Sequence, residues 1–82
     1  MARNQNQQKT KQQPAHEVRM GVVKAIIWEN NTDQGVRYNV QITRLYKQND
    51  EWKQTDSFGR DDLPLVEKVV SQAHEWIYAQ AQ

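Results

Sequence analysis

The chain contains no cysteine, so neither a disulfide nor a thiolate metal site can hold it together. No stretch approaches the roughly 18 to 20 consecutive apolar residues of a membrane span, and the polar beginning lacks the apolar core of a secretory signal, so a cytoplasmic protein is expected. Glycine and proline are scarce, at 3 and 2 in 82 residues, which leaves few breaks in the regular structure. Large aliphatic side chains are missing from residues 2–17, a segment made mostly of Gln, Asn, Lys and Arg. Such a segment cannot bury enough apolar surface to offset the entropy of ordering, and residues 1–17 read as a disordered, Gln-rich arm.

Roughly 65 residues remain to fold, enough for one domain. A domain of that size buries only about 60% of the surface its unfolded chain exposes. Without disulfides or metal, association with a second copy is the natural source of further burial, and a homodimer is expected. The domain is placed at 18–79, with a frayed end at 80–82.

What is present follows two periods. Met20 to Glu29 is rich in β-branched residues and ends at the turn-forming cluster Asn30 to Gly35. Between Val36 and Lys47, Val36, Tyr38, Val40 and Ile42 alternate with Arg37, Asn39, Gln41 and Thr43, the pattern of a sheet with one buried and one wet face. The alternation slips at Arg44-Leu45, which suggests a bulge or a frayed end there. Gln48-Asn49-Asp50 makes a short hairpin connection to a weaker strand from Glu51 to Phe58, read as an edge. After Gly59, Asp61 or Asp62 can cap a helix with Pro64 in its first turn. Leu63, Val66, Val69, Val70, Ala73 and Ile77 then recur at helical spacing, with Trp76 beside them. The fold class is therefore α+β: a three- to four-stranded antiparallel meander, then one C-terminal amphipathic helix packed on one sheet face.

Catalysis has little to stand on. The 2 histidines and the serines Ser57 and Ser71 form no spacing that assigns nucleophile, base and orienting group together, so a non-enzymatic role is expected, with no cofactor and no metal. Asp61-Asp62 resembles a cation site in composition, but its place before an apolar-periodic run makes it a helix cap.

Charge carries more information. Net charge is +1, yet cations dominate up to Lys47 and acids dominate after Gln48. If Val23, Ala25 and Ile27 face the helix with Val40 and Ile42, the opposite face carries Lys24, Ile26 and Trp28, then Arg37, Asn39, Gln41 and Thr43, then Lys53, Thr55 and Ser57. That face has no carboxylate. Cations that follow phosphates, an indole that stacks on unpaired bases, and amides or hydroxyls that bond base edges suit single-stranded DNA or RNA. The expected nucleic-acid-binding residues are Lys24, Trp28, Arg37, Asn39, Gln41, Thr43 and Lys53. The wet face of an ordinary antiparallel sheet is also polar, and Ile26 with Trp28 suits a protein interface equally, so a protein-interaction module without nucleic-acid binding is the alternative.

Successive antiparallel strands bearing basic and aromatic residues, a Gly-containing turn and one helix entered through an acidic cap resemble the positive-cofactor-type transcriptional coactivator fold and its small bacterial relatives. The resemblance covers Val18 to Ile77 and implies a dimer that binds single-stranded DNA on its sheet. That fold has four strands where three are evident here; a short strand around Glu17 to Arg19, or a bend at Arg44, would supply the fourth. The stretches IWEN, GVRYNVQITRLYK and EWKQTDSFGRDDLP are also similar to a group of small bacterial proteins, which implies no particular function.

Overall fold

Every strand connection in the sheet is a two-residue turn, so the order of strands in space is their order in the chain. In the computed structural model, which describes residues 13–80, these are β1 (Pro14–Met20), β2 (Val23–Thr32), β3 (Gly35–Gln48) and β4 (Glu51–Thr55). All neighbours are antiparallel. A 3₁₀ turn (Arg60–Asp62) then leads into helix α1 (Leu63–Gln80).

The turn residues have local reasons. Gly21 opens the first turn at φ +62°, a left-handed conformation that glycine adopts without steric cost. In the second, Thr32 Oγ1 donates to the Gly35 carbonyl at 2.7 Å and accepts from the Gln34 N–H at 3.2 Å. The third places both Asn49 and Asp50 at positive φ, the requirement of a type I′ hairpin and one that Asn and Asp tolerate.

The fourth strand is the one before Gly21. β1 takes in Pro14–Glu17, which composition assigns to the polar arm; pairing with β2 outweighs that bias, since Val18 sits opposite Ala25 and is buried. The remainder of the arm, residues 1–12, and the chain end, 81–82, lie outside the described residues. One register shift falls between Pro14 and His16, so the sheet's irregularity is in β1 and not at Arg44. β3 runs through Arg44 in unbroken register, with Val23 and Thr55 as its partners on the two sides.

Helix α1 lies chiefly over β1 and β2. Val69 and Ala73 meet Val18, Val23, Ala25 and Ile27 in a small core. Trp76 closes one end, its ring stacked on His16 at 4.9 Å and edge-on to Tyr38 at 5.7 Å. The buried stripe is centred on Val66, Val69, Ala73 and Trp76, so Leu63 and Val70, expected on it, are exposed.

Because the helix is offset, the row of β3 that faces it is only partly covered. Val36 and Val40 retain 48% and 41% of their exposure, and Val70 on α1 retains 45%. Val40, Ile42, Val70, Ala73, His74 and Ile77 line an apolar groove there. β4 pairs only with Arg44–Gln48, so among the described residues 35–43 of β3 form an open edge beside that groove. No helix among the described residues is long and apolar enough to cross a membrane.

Candidate nucleic-acid interface

Strand register decides which side chains share the face turned away from α1. Opposed residues of an antiparallel pair point the same way, so Lys24 with Thr43, Ile26 with Gln41, Trp28 with Asn39, and Asn30 with Arg37 form the centre of the outer face. Six of the seven residues expected from sequence are therefore together: Lys24, Trp28, Arg37, Asn39, Gln41 and Thr43.

Lys53 is not among them. It pairs with Tyr46, which lies two residues beyond Arg44 on the row facing the helix side. The reason is Arg44. A cation on an apolar row looks like a register slip, but Arg44 is held there by the Asp62 carboxylate at 3.2 Å and the Ser57 carbonyl at 3.1 Å. With no slip, Trp52 and Gln54 point outward, while Lys53 and Thr55 do not.

The face is thus richer in indole than expected. Trp52, 63% exposed, stands opposite Lys47, whose ammonium lies 5.9 Å from the ring centroid. Arg19, paired with Lys24, joins Leu45 and Trp52 around a small depression. Arg19, Leu45, Lys47 and Trp52 were missed by the sequence reading, although unbroken alternation through Arg44 places the β3 pair on this face.

The face is not free of acid, contrary to the sequence reading. Glu17 of β1 pairs with Ile26, and Asp56 follows β4 and lines a second depression with Gln41, Thr43 and Gln54. Both carboxylates belong to the sheet's margins. On the outward rows of the two central strands, Lys24, Arg37 and Lys47 meet only neutral neighbours.

Two local details set the geometry. Half-buried Trp28 donates from Nε1 to Gln41 Oε1 at 3.3 Å, which fixes both the indole and the amide. Arg37 donates to Gln34 Oε1 at 3.2 Å. Ile26, which pairs with Glu17 on one side and Gln41 on the other, is 8% exposed and is no exposed anchor. Thr43 retains 5% exposure, and its Oγ1 is buried without a hydrogen-bond partner. An orphaned hydroxyl of this kind costs about 1–3 kcal/mol.

Asp62 is occupied structurally, accepting from the Gly59 N–H at 2.8 Å as well as pairing with Arg44. Among the described residues, no group of three or more His, Asp or Glu side chains is placed to hold a metal ion. Compared with protein-family models, curated proteins and solved structures, the chain matches none.

Proposed function

We propose that this protein binds single-stranded DNA or RNA on the sheet face opposite α1, without catalysing a reaction, and that it works as a homodimer. The observation that carries the first part is the outer face of the central strands: Lys24, Arg37 and Lys47 with no carboxylate between them, beside Trp28 and Trp52. Phosphates would follow the cations, and unpaired bases would stack on the indoles. A double helix would gain little from a broad sheet surface, because its bases are already stacked and their edges lie in grooves.

The homodimer reading is supported by the apolar row of Val36, Val40 and Ile42 with Val70 and Ile77, which adjoins the open edge of β3. Contiguous apolar surface beside an unpaired strand edge suits an isologous contact. Such a contact uses the helix side of the sheet, so the outer face stays available to nucleic acid.

Titration of a fluorescent single-stranded oligonucleotide at low and moderate salt tests the binding. Affinity should fall as salt rises, because neutralised phosphates release counterions. Arg37→Ala should weaken binding and flatten the salt dependence by about one ion. Trp28→Ala should weaken it roughly tenfold through lost stacking. Absence of binding at low salt, or indifference to both substitutions, overturns the reading.

A further inference from the structure

Carboxylates on a surface that meets a polyanion are unfavourable against phosphate, but they have a use where a base edge arrives. Asp56 occupies such a place. In the bend directly after Thr55, it lines an open depression of about 370 Å³ together with Thr43, Gln41 and Gln54. Beneath the depression lies the unpartnered Thr43 hydroxyl. Gln41 has its oxygen engaged by the Trp28 indole, so the end of its amide left for recognition is the N–H donor.

We propose that this depression reads a single guanine of the bound strand, an inference that rests on the single-stranded nucleic-acid reading above. An ionised carboxylate only accepts hydrogen bonds, and it accepts two side by side. Of the four bases, guanine alone presents two adjacent donors on its Watson–Crick edge, N1–H and the N2 amino group, and next to them the O6 acceptor. Asp56 takes the two donors, and the Gln41 amide N–H meets O6. Adenine and cytosine offer one amino group beside a ring nitrogen whose lone pair faces the carboxylate, and thymine flanks its single donor with two carbonyls. Each of those edges sets an acceptor against Asp56. Lys24, paired with Thr43, stands beside the depression to hold a phosphate away from the acid.

The test uses the full chain and an all-thymine oligonucleotide of about 15 nucleotides, compared with the same strand carrying one central guanine, adenine or hypoxanthine. Guanine should bind roughly tenfold tighter than adenine, the scale of one good bidentate base contact. Hypoxanthine, which lacks the N2 amino group, should lose most of that advantage. Asp56→Asn should abolish the guanine preference while leaving all-thymine binding as tight or tighter, since it removes a negative charge. Asp56 is exposed, and its substitution leaves the core intact. Equal binding of all four strands, or a guanine preference that survives Asp56→Asn, overturns the guanine assignment while the single-strand reading stands. Failure to bind any strand at low salt overturns both. Free guanosine monophosphate in excess should not displace the strand; displacement would assign the depression to mononucleotides and overturn the proposal.

Discussion

Arg44 Nε lies 3.2 Å from Asp62 Oδ2, which ties the longest strand to the turn that starts the helix. Both side chains are partly exposed, so the charge attraction is screened and contributes less than about 1 kcal/mol. Asp62 also accepts from the Gly59 N–H, a capping contact worth about 1 kcal/mol. Asp62→Ala should therefore lower stability by about 1–2 kcal/mol in urea unfolding, and Asp62→Asn, which keeps an acceptor, by about half as much.

Replacing Thr43 with valine removes a buried hydroxyl that has no partner and keeps the β-branched shape. Thr43→Val should raise stability by about 1 kcal/mol, read as a higher denaturant midpoint with an unchanged slope. A destabilised variant would mean that the hydroxyl is satisfied in solution.

The two faces of the sheet give a paired prediction for binding. Arg37→Ala should weaken oligonucleotide affinity severalfold. Lys53→Ala, on the helix side, should leave it nearly unchanged although both substitutions remove one positive charge. Equal losses would indicate general electrostatics in place of a defined surface.

A charge placed in the apolar groove should separate the subunits of the proposed homodimer. Val70→Glu and Val40→Glu alter exposed positions, so each monomer should keep its circular dichroism spectrum while light scattering reports half the mass of the parent protein. Identical masses before and after would remove this surface as the dimer contact.

The sequence made some of these relationships visible and concealed others for definite reasons. Alternation from Val36 to Thr43 and the helical spacing of Val66, Val69 and Ala73 each report burial directly, and the sheet-then-helix order followed from them. β1 was faint because Pro14–Glu17 is polar: the strand lies at the edge of the sheet, and Val18 is its one buried side chain. The face assignment beyond Thr43 was obscured by Arg44, whose partners Asp62 and Ser57 are distant in sequence. Contacts of that range leave no periodic trace. Lys53 was misplaced as a direct result, and Trp52 was overlooked.

The brevity of β4 leaves the other end of β3 with main-chain groups along residues 35–43 that no described strand engages. In hydrogen–deuterium exchange, amides directed to that side should exchange quickly in a monomer, whereas those directed to β2 are protected. Dilution across the dimer equilibrium would then change exchange along one flank of a single strand. The unfinished edge would thus report assembly of the proposed homodimer, legible without a label and independent of anything bound to the opposite face.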